Sequence, residues 1–235
     1  MPMVARTLSR LGGVALDLIY PPRCALCERP GTFLCDSCAD ALPRAEGRRC
    51  DACWLPQRGH QCAACAEHPM LVDSLRSVFR YEGDVRRLVH AFKFGGFSAL
   101  ATPLAAHLVR LVLDQGLVAD AVVPVPLTGR RSRTRGYNQA ALLARELSKQ
   151  LGLPVLPALR RAGNAAPQAS SPSAEQRRLN VVAAFEPAKG ADVAGMRLLL
   201  VDDVATTGAT LSACGGVLRS MQAAAITGLT LARED

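Results

Sequence analysis

Two adjacent carboxylates followed by a hydroxyl-rich turn are the residues best equipped for chemistry in this 235-residue chain; they lie in the stretch LLLVDDVATTGATL, Leu198 to Leu211. Asp202 and Asp203 can accept two sugar hydroxyls, or hold a hydrated magnesium carried by a pyrophosphate, because hard cations take carboxylate and water oxygens. Immediately after them Thr206, Thr207, Gly208, Ala209 and Thr210 bring hydroxyls and backbone N–H groups to the start of a helical pattern. Such a helix N-terminus is an anion site, and phosphate is its natural occupant. A simple helix cap needs one hydroxyl, whereas this loop supplies three around a glycine. A ribose carrying a 5-phosphate satisfies both halves at once. The aliphatic run Leu198–Val201 has no polar alternation, which predicts a strand buried on both faces and closed by the Asp pair.

A second charged element complements the first. The net charge of +8 is concentrated in residues 121–180, which hold 10 basic and 2 acidic side chains. Arg130, Arg131, Arg133 and Arg135 fall within six residues and have no acid among them. They repel one another unless an anion sits between them, and guanidinium forks suit pyrophosphate oxygens. The loop that carries them follows a short strand, Asp120–Pro126, in the place where open α/β sheets keep their ligand loops. Lys93 stands at the end of a predicted helix. There it either complements the helix dipole or binds phosphate.

Eight of the nine cysteines form four C-x-x-C pairs: Cys24/Cys27, Cys35/Cys38, Cys50/Cys53 and Cys62/Cys65. Each pair is a knuckle that places two thiolates on one metal. Two knuckles complete a tetrahedral four-cysteine site, and zinc is the default ion. With no vacant position, two such zincs are structural and supply most of the folding energy of a segment this poor in apolar residues. Spacing leaves the pairing open, although the short intervals favour sequential closure. His60 and His68, beside thiolates already sufficient in number, read as exposed. Cys214 reads as a small buried hydrophobe.

The elements that must hold these groups follow from periodicity. A strand is expected near Leu75–Tyr81 and a helix from Asp84 to Phe94. A second helix covers Ser98–Leu113 and a third Gln139–Leu151. Leu211–Met221 forms a helix and Ala225–Leu231 a last strand. Residues Arg160–Ser173, rich in Ala, Ser, Pro and Gly, read as a lid over a bound ligand. Alternating strands and helices predict an α/β domain with a mainly parallel sheet over residues 70–235. Residues 23–69 make a double zinc ribbon, and residues 1–22 an amphipathic helix with Leu8, Leu11, Ala15, Leu18 and Ile19 on one face. No apolar run approaches the length of a membrane span, so no membrane insertion is expected, and Asp17 interrupts what would otherwise resemble a signal peptide. The expected location is cytoplasmic. Aromatic residues make up 4% of the chain, too few for a nucleic-acid surface built from stacking platforms.

VDDVATTGAT resembles the 5-phosphoribosyl-1-pyrophosphate (PRPP) motif of type I phosphoribosyltransferases. The four knuckles, Phe92-Lys93-Phe94, the VPVP strand with R-x-R-G-Y-N-Q and this motif follow one another in the order of the ComF family of bacterial competence proteins. The resemblance implies a type I phosphoribosyltransferase fold and a site for PRPP or a related ribose 5-phosphate with Mg2+. It assigns Asp202 and Asp203 as the catalytic pair. Thr206, Thr207, Gly208, Ala209 and Thr210 would hold the 5-phosphate, with Arg133, Arg135 and Lys93 as further ligands of the bound phosphates. It also implies a part in natural transformation, with single-stranded DNA and a competence helicase as partners. The alternative is an active phosphoribosyltransferase of nucleotide salvage or modification. Ala166 stands where the family pattern carries a threonine before Pro167-Gln168. The sequence offers no evident acceptor pocket beside the motif, so cover for that side is expected from the zinc module or from residues 81–97.

Overall fold

The computed structural model describes residues 21–57, 62–94, 97–127, 136–162 and 184–235. The helix expected over residues 1–22 therefore lies almost wholly outside the described residues. Contacts divide the chain into two compact units, Met1–Leu42 and Pro43–Asp235. The boundary expected between residues 69 and 70 falls inside the larger unit, which also contains the second group of cysteines.

The smaller unit is built around the first two knuckles. Cys24 N–H donates to the Arg29 carbonyl at 2.9 Å and Glu28 N–H to the Cys24 carbonyl at 2.9 Å, closing the tight turn that presents Cys24 and Cys27. A short helix, α1 (Asp36–Asp40), follows and carries Cys38.

In the larger unit β1 (Ser74–Arg80), β2 (Ala121–Pro124), β5 (Arg197–Ala205) and β6 (Ala225–Arg233) form a parallel sheet in the order β1-β6-β5-β2. A separate antiparallel pair joins β3 (Leu159–Arg161) to β4 (Phe185–Pro187). The helices are α2 (Ala63–Glu67), α3 (Gly83–Phe94), α4 (Ala101–Asp114), α5 (Gln139–Leu151) and α6 (Ala209–Ser220). Helix α3 buries Val85, Leu88, Val89 and Phe92, the face its spacing predicts. Asn138 caps α5, its side-chain oxygen accepting from Ala141 N–H at 3.4 Å, and Gly152 ends that helix in the left-handed conformation. Helix α4 packs on β1 and β6, and α5 on β2 and β5; α6 packs on β5, β6 and the β3–β4 pair.

Leu198–Val201 is buried on both faces, as its composition predicts. Leu198 and Leu200 share a core with Leu211, Cys214 and Leu218 of α6. Leu199 and Val201 point, by strand alternation, to the opposite face. The expectation that the Asp pair closes the strand is corrected here. β5 runs on to Ala205, with Asp202 opposite Thr230 and Ala205 opposite Arg233, because β6 extends equally far and ladder bonding is indifferent to side-chain polarity.

Candidate functional site

Strand alternation sends the two neighbouring carboxylates to opposite faces of β5. Asp203 is met by Lys93 from the end of α3, with Nζ 2.8 Å from Oδ1 and side chains only 19% and 11% exposed. Lys93 thus has a role beyond the two read from sequence: it is the partner of the second acid. Its placement depends on the segment after the arginine loop. Tyr137 donates its hydroxyl to the Phe92 carbonyl at 2.6 Å, and Gln139 Nε2 donates to the Lys93 carbonyl at 3.4 Å. These bonds satisfy carbonyls that the last turn of a helix leaves without partners. Asn138 Nδ2 donates to the Val125 carbonyl at 3.0 Å, tying the same segment to the end of β2. The G-Y-N-Q signature is therefore a clamp that fixes one wall of the site.

Asp202 lies toward Arg161 and Cys214. Part of the residue meets solvent, but its carboxyl is enclosed, and burial together with the neighbouring Asp203 charge pushes it up to about 7. Its Oδ1 accepts the Asp203 N–H at 2.8 Å. Cys214 is fully buried, and burial raises its thiol, in keeping with a small hydrophobic role.

Thr206 and Thr207 form the exposed turn between β5 and α6, and Gly208 at the helix start adopts φ +78°. That left-handed conformation favours glycine. A Cβ there would also lie 3.0 Å from Met70 Cε. Thr207 Oγ1 accepts from Ala209 N–H at 3.3 Å, and Ser212 N–H closes the first helical turn on the Gly208 carbonyl. The N–H groups of Ala209, Thr210 and Leu211 precede any helical acceptor and point out of the helix end. Hydroxyls, N–H groups and the dipole of a twelve-residue helix thus meet in one turn, three residues beyond Asp203.

Arg133 and Arg135, with Arg130 and Arg131, lie outside the described residues, and so does most of the expected lid. Their anchors are described. Val125, just before the arginine loop, donates its N–H to the Val201 carbonyl at 2.9 Å, so the loop departs beside the acid-bearing end of β5. Arg160 and Arg161 lie on β3, and Ala162 N–H bonds the Ala184 carbonyl at 3.0 Å beside the β3–β4 ladder.

The cysteines group sequentially, Cys24/Cys27/Cys35/Cys38 and Cys50/Cys53/Cys62/Cys65, with the sulfur atoms of each group all within 4.8 Å of one another. Cys27 and Cys35 sulfurs are 3.7 Å apart, Cys50 and Cys65 3.7 Å, and Cys53 and Cys62 3.5 Å. A tetrahedron with arms of about 2.3 Å has edges of about 3.8 Å, so both groups fit zinc, and no sulfur pair is at bonding distance for a disulfide. His68 is exposed, as expected; His60 lies outside the described residues.

The second group is built into the larger unit. Trp54, just after Cys53, donates Nε1 to the Ser77 carbonyl of β1 at 2.9 Å and carries the Arg76 guanidinium 4.6 Å above its ring. Met70–Asp73 then runs along α6. Leu71 N–H bonds Ser212 Oγ at 3.0 Å, and Arg219 reaches both the Leu71 carbonyl and Asp73. Met70, Tyr137 and Gln139 were not singled out as structural supports from sequence. Only the last two carry a local signal, their place beside the Asn138 cap.

The family described as double zinc ribbon domain matches residues 15–66, and that described as phosphoribosyl transferase domain matches residues 133–234. The class of protein defined by fold and site is thus a zinc-ribbon protein with a type I phosphoribosyltransferase fold. The chain is 34% identical to DNA utilization protein YhgH of Salmonella typhi over 89% of its length and 96% of the relative's. It is 30% identical to competence protein ComFC of Bacillus subtilis (87% and 86%), and 31% identical to competence protein F of Haemophilus influenzae (80% and 92%). It belongs to the ComF family. Among solved structures it is similar to glutamine PRPP amidotransferase from B. subtilis (18% identity, 55% of this chain and 26% of that one, TM-score 0.39). It is also similar to purine phosphoribosyltransferase from Pyrococcus horikoshii (17%, 56% and 70%, TM-score 0.37). Among the described residues, no helix is long and apolar enough to cross a membrane.

Proposed function

We propose that this protein binds PRPP, or a related ribose 5-phosphate, with Mg2+ and assists the handling of single-stranded DNA in natural transformation. The observation that carries the first part is that Asp202 and Asp203 lie near the end of β5 and lead directly into the Thr206–Thr210 helix start, with Asp203 three residues before Thr206. In this reading the helix start takes the 5-phosphate, and the carboxylates take the ribose hydroxyls and hydrated magnesium. Arg133 and Arg135, which follow β2 in the chain, take the pyrophosphate. The DNA part rests on the family and on the charge excess of residues 121–180. Competence and DNA utilization are what the names of its relatives state, and four clustered arginines suit a phosphate backbone as well as a pyrophosphate.

Fluorescence anisotropy of a labelled single-stranded oligonucleotide tests the DNA part. Affinity is expected to fall steeply with salt, and replacement of Arg130, Arg131, Arg133 and Arg135 by alanine is expected to flatten the salt slope by about 3. Unchanged affinity and slope in that variant would remove the arginine loop from any account of DNA binding.

A further inference from the structure

Arg233, near the end of β6, is 2% exposed and is among the largest fully buried side chains. Its Nε donates to the carbonyl of Cys53 at 3.0 Å, and its Nη1 donates to the carbonyl of Ala205 at 3.1 Å. Cys53 belongs to the second four-cysteine group. Ala205 is the last residue of β5, directly before Thr206-Thr207-Gly208. One guanidinium therefore spans the backbone of a zinc knuckle and the backbone from which the phosphate turn departs. The Ala205 carbonyl also accepts Glu234 N–H at 3.0 Å, so the end of β5 is held from two sides by β6.

A second observation joins the same two places. A cavity of about 310 Å3 has Cys53, Cys65, Met70, Thr206, Thr207 and Arg233 in its lining. Met70 is the same side chain that lies against Gly208 in the turn. The knuckle and the turn are thus two walls of one space. Charge favours the arrangement as well. A buried guanidinium is costly without a counter-charge, and four thiolates around one Zn2+ carry a net charge of −2.

Resting on the PRPP-site reading above, we propose that the second four-cysteine site is a working wall of the sugar-phosphate site, with Arg233 as the positioning residue that links them. Zinc at this site fixes the Cys53 carbonyl, which fixes the guanidinium, which holds the Ala205 carbonyl and the turn behind it in the geometry that takes phosphate. Zinc and sugar phosphate then strengthen each other's binding by the same factor, as linkage requires. Lysine at position 233 would keep the charge but could not fork to two carbonyls at once, so it would uncouple the two ligands.

The test uses the full-length protein with both zincs bound. Ribose 5-phosphate binding is first measured by calorimetry, and zinc affinity is then measured by competition with a chromogenic chelator, with and without saturating ribose 5-phosphate. The sugar phosphate is expected to raise the affinity of about one of the two zincs roughly fivefold or more, and to leave the other unchanged. Arg233→Lys is expected to retain both zincs and lose that response. Should this variant fail to fold, the wild-type competition decides the matter alone. If ribose 5-phosphate binds but leaves both zinc affinities unchanged, or lowers one, the coupling is wrong while the site stands. If it does not bind at millimolar concentration, the site reading fails and the coupling with it.

Discussion

Asp202 is held in an environment that favours its neutral form, and this has a definite consequence for pH. Its carboxyl titrates at about 7, far above an ordinary aspartate, because it is enclosed and sits beside Asp203. Between about pH 4 and pH 7 the folded protein keeps a proton that the unfolded chain has already lost. The contribution of this group to stability therefore falls as pH rises through that window and is level above it. Asp202→Asn removes the titration. Relative to wild type, thermal unfolding should show the variant gaining stability between pH 5 and pH 8, by on the order of 2 kcal/mol once partial exposure is allowed for. Parallel wild-type and variant curves over that range would show that the carboxyl is not perturbed in this way. On the proposed function, magnesium-dependent sugar binding is expected to strengthen as pH rises through 7, because the ion and the ribose hydroxyls would need the carboxylate. Lys93 pairs directly with the other acid, Asp203, and its charge and that of Arg161 pull Asp202 down by less than burial and Asp203 push it up. The Asp pair is thus two unlike groups, Asp203 in a direct ion pair with Lys93 and Asp202 enclosed and raised.

At the scale of elements, α6 meets two segments: its N-terminus follows the Thr206–Gly208 turn, and its flank receives the segment leading from the second knuckle. Gly215 is where the helix and the latter segment meet, since a Cβ there would lie 2.7 Å from the Leu71 carbonyl oxygen and 2.7 Å from Val72 Cγ1. Gly215→Ala gains about 1 kcal/mol of helix propensity but must push backbone aside, so a net loss of about 1–3 kcal/mol is expected in urea unfolding. A stabilised Gly215→Ala would mean that Met70–Asp73 is not pressed on the helix. Much of this framework is legible in the sequence. Leu198–Val201 announces a doubly buried strand, and the spacing of Val85, Leu88, Val89 and Phe92 announces the buried face of α3. The rest is not, for one physical reason. The extension of β5 past Asp202 depends on ladder bonds to β6, and the Lys93–Asp203 pair joins residues 110 positions apart. Local pattern carries no record of such pairings. Arg233 is the extreme case: it sits in an unremarkable LARED stretch, and its carbonyl partner Cys53 is 180 residues away.

On the scale of the whole molecule, the two zinc-binding groups are not equivalent parts of one appendage. The first lies in the unit Met1–Leu42, while the second belongs to the contacts of Pro43–Asp235 and lines a cavity with Thr206 and Thr207. The charge is equally uneven, with the excess in the segment that carries the arginine loop and a surplus of acids in residues 181–235. The proposed function depends on a sugar phosphate entering at Asp202–Thr210. The most direct test is calorimetric titration of the zinc-loaded protein with PRPP, with and without Mg2+, alongside Asp203→Asn and Thr207→Ala. The account predicts one PRPP per chain, binding that requires Mg2+, and a loss of about tenfold or more in each variant, as expected for removing a charged or hydrogen-bonding contact. No binding with Mg2+ present, or equal affinity in wild type and both variants, would contradict it.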